Sequence, residues 1–318
     1  MRAAVYHEFG PPGVLQIEEQ ERPYVDGKDI LIRIRAATVE RDDTVWREIQ
    51  GYNGVLKPKR KILGMYFAGE VVDTGPSAKR FRASEQVFGY TGRRLGAHAE
   101  YICISENEAI TKVPPRVTYQ DAAAVLNGSL TAIPYLRDTA KIKSGERVLV
   151  YGASGSVGIA AMQIGKALGA EMTGACSKAN IELVESLGAG KVLDYVKDQL
   201  GDEANPYDVV FDTVGELPYK ECRDVLKKRG WYLSTMKTPD VDSRMRTNSI
   251  FKKHRVMCVH TRGLSKKRIL QNLETVTDWM AEGKLKAITD RSYSLSYIQE
   301  AHRYVETKRK RGAVIIEP

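Results

Sequence analysis

Arg147-Val-Leu-Val-Tyr-Gly-Ala-Ser-Gly-Ser-Val-Gly-Ile-Ala-Ala-Met-Gln163 decides how the rest of the chain is read. Val148, Leu149 and Val150 make a short aliphatic run suited to a strand buried on both faces. Gly152, Gly155 and Gly158 follow at a spacing of three. Small and apolar residues at helical spacing then run from Val157 through Ile159, Ala160, Met162 and Ile164 to Ala167. Strand, glycine turn and helix in this order open a dinucleotide-binding fold. Glycines close the turn and let backbone N–H groups approach a pyrophosphate, while the helix N-terminus supplies positive potential. The residues expected to cradle the phosphates are Gly152, Ala153, Ser154, Gly155, Ser156, Val157 and Gly158.

C-terminal to this turn, strand and helix signals alternate. Strands are expected over 171–176, 191–194, 207–212, 230–234 and 256–259, with helices over 181–187 and 219–226. Alternation of this kind implies an α/β domain with a parallel, doubly wound sheet. N-terminal to the turn, residues 1–119 read as mostly β, with strands over 3–6, 29–35, 67–72, 86–89 and 97–104. Gly10-Pro-Pro-Gly13 and Gly75-Pro76 supply turns, and the short strands suggest a compact barrel-like domain. Asp121-Ala-Ala-Ala-Val-Leu126 marks a change to alanine-rich helix, with Thr118 as N-cap. After a helix over 266–281, the segments 288–293, 298–306 and 312–316 return to complete the first domain. The expected division is 1–119, 120–262 and 263–318, in a chain of 318 residues that is long enough for two domains.

Composition narrows the function classes. With 42% apolar and 28% charged residues the chain reads as soluble and globular, and no run approaches the ~20 apolar residues of a membrane helix. Met-Arg-Ala-Ala-Val-Tyr-His lacks a signal-peptide core, so a cytoplasmic location is expected. Cys103, Cys176, Cys222 and Cys258 are far apart, which argues against a disulfide framework or a cysteine-rich zinc lobe. The net charge of +9 is scattered over several runs, which suits a solvated surface better than nucleic-acid binding.

Several ordered motifs give the chain a family likeness: Leu63-Gly-Met-Tyr-Phe-Ala-Gly-Glu70, Gly96-Ala-His-Ala-Glu-Tyr101, Leu130-Thr-Ala132, the glycine turn, Ser186-Leu-Gly-Ala189 with Asp194-Tyr195, and Ala301-His-Arg-Tyr-Val-Glu306 before Gly312-Ala-Val-Ile315. Taken in order, they resemble the medium-chain dehydrogenase/reductase superfamily in its zinc-free quinone-oxidoreductase branch, over essentially the whole chain. The resemblance implies a GroES-like β domain with a Rossmann domain inserted before its C-terminal portion, and a homodimer.

It also implies the site. Gly64-Met65-Tyr66 stands where the zinc branch carries Gly-His-Glu, and the cysteine ligand is missing near Thr38 to Asp43, so no metal is expected. His7, His98, His254, His260 and His302 are read as structural or surface residues. The second strand ends in Ala175-Cys-Ser-Lys178, without the acidic residue that binds ribose hydroxyls in NAD-type folds. Ser177 and Lys178 would instead hold a 2′-phosphate, with Tyr195 nearby, so NADPH is the expected cofactor. Thr131, Val214, Leu233 and Ser234 correspond to positions lining the nicotinamide cleft in relatives. The implied chemistry is hydride delivery to a quinone or to the β-carbon of an enone.

Glu40 departs from the pattern, because relatives often have asparagine there. It would stay protonated and donate, pair with Arg41 at the surface, or mark lost activity. Tyr52 is a second catalytic candidate, aligned loosely with a substrate-loop tyrosine, and Tyr66 a weaker third; the pocket walls are assigned to loops 40–60, 88–96 and 234–250. Two rival readings exist. Tyr304-Val-Glu-Thr-Lys308 matches the Tyr-x-x-x-Lys of short-chain dehydrogenases, but the glycine turn comes too late in the chain. A catalytically inactive NADPH-binding protein, acting through a partner or RNA, would keep the same turn.

Overall fold

The computed structural model describes residues 1–200, 206–246, 253–259 and 263–318. In chain order the elements are β1 (Arg2–Val5), β2 (Gln16–Glu19), β3 (Asp29–Thr38), α1 (Arg41–Glu48), β4 (Tyr66–Thr74), β5 (Gln86–Tyr90), β6 (Tyr101–Ser105), β7 (Ala109–Lys112) and α2 (Tyr119–Ala124). They continue with α3 (Leu126–Ile133), β8 (Arg147–Tyr151), α4 (Ser156–Ala167), β9 (Glu171–Cys176), α5 (Ile181–Ser186), β10 (Lys191–Asp194) and β11 (Tyr207–Asp212). Then come α6 (Tyr219–Cys222), β12 (Leu226–Ser234), α7 (Pro239–Arg246), β13 (Arg255–Met257), α8 (Lys266–Ala281), β14 (Thr289–Ser294), α9 (Ile298–Glu306) and β15 (Ala313–Glu317). Two compact units result, one of Met1–Asn127 with Ser265–Pro318 and one of Gly128–Leu264.

The first unit is built on β3. Its apolar residues Ile30, Ile32 and Ile34 are buried with Phe67, Val71, Val87, Ile102 and Ile110, while Arg33 points outward. Among the described residues its main sheet runs β14-β15-β3-β4-β5-β7, with β6 also paired to β3. The C-terminal segment therefore does return to the N-terminal one, since β15 pairs antiparallel with β3 through Ile315 opposite Thr38. The unit extends to Asn127 rather than to 119 because α2 packs against β3, β4 and β15. Thr118 caps α2 by accepting from the Asp121 N–H at 3.1 Å.

The second unit is a parallel sheet in the order β10-β9-β8-β11-β12-β13 among the described residues. Counted from β8, this is the 3-2-1-4-5-6 arrangement of dinucleotide-binding folds, and the strand order reverses between β8 and β11. Val148, Leu149 and Val150 are fully buried at its centre, as their continuous apolar run requires.

Five expectations need correction. Residues 41–48 form α1 and 239–246 form α7, where the sequence reading had loops. The first of these helices is strongly polar, so its apolar spacing is faint. The strand over 97–104 begins only at Tyr101, because His98 turns inward to bond the Thr38 carbonyl. The helix over 219–226 ends at Cys222, and Leu226 already pairs with Tyr207 in β12. Loop 88–96 includes the end of β5. Cys103, Cys176, Cys222 and Cys258 are buried thiols not joined in disulfides, and His260 lies outside the described residues.

Tyr135 ties the far side of the second unit together. Its hydroxyl donates to the Ser234 carbonyl at 2.6 Å and accepts from the Val259 N–H at 2.8 Å, joining the ends of two neighbouring strands. Tyr135→Phe leaves both groups short of a partner and is expected to destabilise this unit by about 1–3 kcal/mol. Urea denaturation followed by fluorescence checks this, and an unchanged midpoint would refute it.

Candidate active site and nucleotide cradle

β8 ends at Tyr151, and the chain turns at Gly152 with φ of +79°. A Cβ at Gly152 would stand 2.3 Å from Val214 Cγ2, and one at Gly158 would stand 2.1 Å from the Gly152 carbonyl oxygen. The protein's own packing thus demands glycine at both positions. Gly155 differs, since the nearest heavy atom to its Cβ would be 3.6 Å away. It is the N-cap of α4 and has no side chain to accept from the first-turn N–H groups. A backbone that is close-packed behind, open beside Gly155 and without a side-chain cap on α4 fits an anionic phosphate.

Around this turn the structure assembles most of the expected nucleotide residues at the C-terminal ends of the strands. Ala153 and Ser154 are buried, while Ser156 and Val157 begin α4 half-exposed. Ser177 precedes a short 3₁₀ turn that carries exposed Lys178. Tyr195 follows β10, exposed, with its N–H bonded to the Cys176 carbonyl at 3.1 Å. Val214 is exposed beyond β11; Thr131 lies half-buried in α3. Leu233 and Ser234 end β12 and are buried, with Ser234 Oγ accepting from the Met236 N–H at 3.2 Å. Their side chains are turned into the protein, so any contact they make would fall to the backbone.

Sequence reasoning missed three contributors. Asn180 donates to Ser154 Oγ at 2.8 Å, which joins the glycine turn to the loop holding Lys178. Asp212, fully buried, holds the loop after β11. Tyr151 lies 5.6 Å, ring to ring, from Tyr195. These two rings with Leu200, Leu217, Val225, Asp198, Gln199 and Glu221 line a cavity of about 370 Å³. An aromatic residue just before the first glycine was the available signal for it.

Glu40 and Tyr52 belong to the first unit and stand at opposite ends of α1. Glu40 does not pair with Arg41; it is buried and takes the Lys310 ammonium at 2.6 Å, while Arg41 donates to Thr44 Oγ1. Tyr52 is half-exposed, with its ring 6.5 Å from that of Trp46. Tyr66 is buried and stacked 5.1 Å from Tyr90, and burial first, then the Tyr90 phenol and neighbouring carboxyl groups, drives its phenol far above the ordinary range. Tyr304, of the Tyr-x-x-x-Lys match, donates to Asp290 at 2.6 Å and lies under the Arg291 guanidinium.

Behind Glu40 lies a buried polar layer. Asp43 accepts from the N–H groups of Glu40 at 2.8 Å and Gly64 at 3.1 Å, and burial pushes its carboxyl up to about 8. Arg47, fully buried, donates to the Gly10 carbonyl, to Glu306 and to His302 Nδ1 at 3.0 Å. His302 is therefore held neutral with its proton on Nε2. Its ring lies 5.8 Å from that of His98, whose Nε2 donates to the Thr38 carbonyl at 3.0 Å. Burial pulls the His98 pKa down to about 4 and the His302 pKa well below the usual histidine range. Among the described residues no group of three or more His, Cys, Asp or Glu is arranged to hold a metal ion.

A Rossmann-type sheet with its glycine turn, joined in one chain to a separate β unit, defines a dehydrogenase/reductase class of protein. Residues 26–115 match the alcohol dehydrogenase GroES-like domain family, and residues 187–316 match the zinc-binding dehydrogenase family. The chain is 30% identical to the chloroplastic quinone-oxidoreductase homolog of Spinacia oleracea, covering 100% of this chain and 98% of that one. It is 28% identical to the 2-methylene-furan-3-one reductase of Solanum lycopersicum, over 100% of this chain and 79% of that one. The quinone oxidoreductase of Coxiella burnetii superposes with a TM-score of 0.86 at 25% identity, covering 100% and 99% of the two chains. That of Escherichia coli, solved with NADPH, gives 0.85 at 24% identity over 100% of both chains. The chain belongs to the medium-chain dehydrogenase/reductase superfamily, in its quinone-oxidoreductase-like branch, and is an oxidoreductase.

Two predictions follow from the buried layer. Lys310→Met leaves the buried Glu40 side chain without its partner and should cost about 3–5 kcal/mol, whereas Glu40→Gln with Lys310→Met should recover most of it. A double mutant no more stable than the single one would refute the pairing. His98→Gln keeps a donor for the Thr38 carbonyl without a titrating ring. A folded pKa near 4, against about 6.5 unfolded, gives stability that is present above about 6.5 and lost as pH falls towards 4. Asp43 acts in the opposite sense, losing stability as pH rises through about 8, but it is common to both proteins and cancels in their difference. The wild type should thus weaken relative to His98→Gln by up to about 3 kcal/mol between pH 6.5 and 4, as measured by denaturant titration at each pH.

Proposed function

We propose that this enzyme uses NADPH to reduce a quinone or an α,β-unsaturated carbonyl, without zinc. The observation that carries the reading is the glycine turn at the strand-order reversal, packed tight at Gly152 and Gly158 and open at Gly155. The pyrophosphate would lie over the turn at the start of α4, because the N–H groups of Gly152, Ala153 and Gly155 already donate to the Ala175 and Gly152 carbonyls. The adenine ring would enter the cavity between Tyr151 and Tyr195, which is of a size for a flat heteroaromatic group. Lys178 and Ser177 would take the 2′-phosphate, since the end of β9 offers Cys176, Ser177 and Lys178 rather than a carboxylate.

When bound, the reduced nicotinamide supplies the hydride. The chain's task is then to orient the acceptor and to steady the negative charge that grows on its carbonyl oxygen. Hydroxyl and backbone N–H donors would do this, because Met65 and Tyr66 stand where the zinc branch has histidine and glutamate. Glu40, committed to Lys310, is assigned to holding the start of α1 rather than to proton donation. Tyr52 keeps the role of candidate hydroxyl donor. The acceptor class is supported by relatives named for quinone oxidoreduction and for enone reduction. Homodimerisation and a cytoplasmic location rest on the family resemblance and on composition; among the described residues no helix is long and apolar enough to cross a membrane.

The test is nucleotide oxidation by purified protein over a panel of quinones, enones and alkenals, with NADPH and NADH compared. NADPH-dependent turnover that survives chelators is expected. Lys178→Ala should raise KM for NADPH about tenfold while leaving NADH within twofold, as loss of one charged contact implies. Equal losses for both nucleotides would remove the 2′-phosphate assignment, and nucleotide binding without turnover on any acceptor would favour a non-catalytic protein.

A further inference from the structure

We propose that Asp212 and Thr213 form a clamp that fixes the first glycine of the phosphate turn and so sets affinity for NADH and NADPH alike. The inference rests on the reading that the dinucleotide lies on residues 152–158. Neither residue need touch the cofactor. They act as positioning residues, through the backbone of two neighbouring strands.

One half of the clamp is the Asp212 carboxylate. It is fully buried at the end of β11, and its oxygens accept from the N–H groups of Val214 at 3.0 Å, Gly215 at 2.7 Å and Leu217 at 3.1 Å. A buried carboxylate is costly unless its lone pairs are met, and here backbone donors meet them. The loop after β11 is thereby wrapped around one side chain, and Gly215 takes φ of +83° to complete the wrap. Asparagine cannot reproduce this, because its NH₂ would face an N–H donor.

The other half is the contact of that loop with the turn. The Thr213 N–H donates to the Tyr151 carbonyl at 3.1 Å. Its hydroxyl lies 2.8 Å from the same carbonyl and 3.2 Å from that of Gly152, so it straddles the last peptide of β8 and the first of the turn. Val214 Cγ2 and Thr213 Oγ1 fill the space a Cβ on Gly152 would need, at 2.3 Å and 2.8 Å. The loop and the turn are therefore two halves of one packed surface. If the loop relaxes, the Tyr151 and Gly152 carbonyls lose this brace and the turn is held only from the β9 side, where the N–H groups of Gly152 and Ala153 donate to the Ala175 carbonyl at 2.9 Å and 3.0 Å, so its shape for a phosphate is less well preset. Lys178 sits on a different loop, after β9, so the clamp should act on the part of the ligand that both nucleotides share.

The experiment uses the full-length protein and measures dissociation constants for NADPH and NADH by fluorescence, with thermal melting of the nucleotide-free protein alongside. Thr213→Val should weaken both nucleotides about three- to tenfold, the range of one lost hydrogen bond, while Thr213→Ser stays within twofold of wild type. Asp212→Asn should weaken both by tenfold or more. Wild-type affinity in Thr213→Val would overturn the proposal, as would a loss confined to NADPH or a serine variant as poor as valine. Should Asp212→Asn fail to fold, the threonine pair decides alone. Failure of the wild type to bind either nucleotide would instead overturn the reading of the turn on which the proposal rests.

Discussion

Gly152 has no room for a side chain, and that constraint organises the second unit. The space is taken by Val214 and Thr213, which arrive on a strand about sixty residues later in the chain. For both to fit, β8 and β11 must be nearest neighbours, running parallel and ending together; their register pairs Tyr151 with Asp212. Neighbouring parallel strands whose onward connections lead to opposite sides leave a crevice at their C-terminal ends. The turn, the Lys178 loop and Tyr195 of the cavity follow the C-terminal ends of β8, β9 and β10 on the same edge of the sheet. The nucleotide cradle is thus a consequence of strand order, and the glycines are what allow the strands to approach.

The first unit depends on a different balance. It buries ionisable groups in a layer between α1, α9 and the segment around His98. Arg47 has its donors matched one by one, to a carbonyl, a carboxylate and an imidazole nitrogen. Glu40 is matched by Lys310. Such layers contribute little net stability compared with apolar packing, yet they are costly to break, because each group left alone stays buried. They also specify register, since α9 can satisfy Arg47 in only one position along α1. This is a reason for the C-terminal segment to return to the N-terminal sheet rather than pack anywhere on it.

Legibility in the sequence followed the range of the interactions. β9, β10, β11, α8 and α9 fall where period and turn residues put them, because buried runs and amphipathic stripes are local signals. The glycine turn was legible for the same reason. α1 was not, because it is polar and short, and its buried face carries Asp43, Thr44 and Arg47 in place of aliphatic residues. β7 and α7 were also missed; both are short. The partner of Glu40 lies 270 residues away and has no local trace, so arginine at 41 looked the natural mate. His98 and His302 meet across more than two hundred residues, although each was read alone as structural. Asn180 and Asp212 are polar residues at strand ends, where the sequence gives no means of telling a solvated loop from a buried brace.

The division between legible and hidden residues parallels a division of labour in the nucleotide cradle. Lys178 is an exposed charge on a loop, recognisable by type and position, and suited to discriminating between two ligands that differ by a phosphate. Its interaction would be screened by salt and by water. Asp212, Thr213, Gly152 and Gly158 make close hydrogen-bonded and packing contacts within the protein, which salt barely touches and which would serve either nucleotide. Preference and affinity would therefore be set by separate groups of residues, one open to substitution at the surface and one locked into the sheet. On this proposal a change of cofactor preference would need few residues, whereas loss of the clamp would remove the preset shape on which either preference depends.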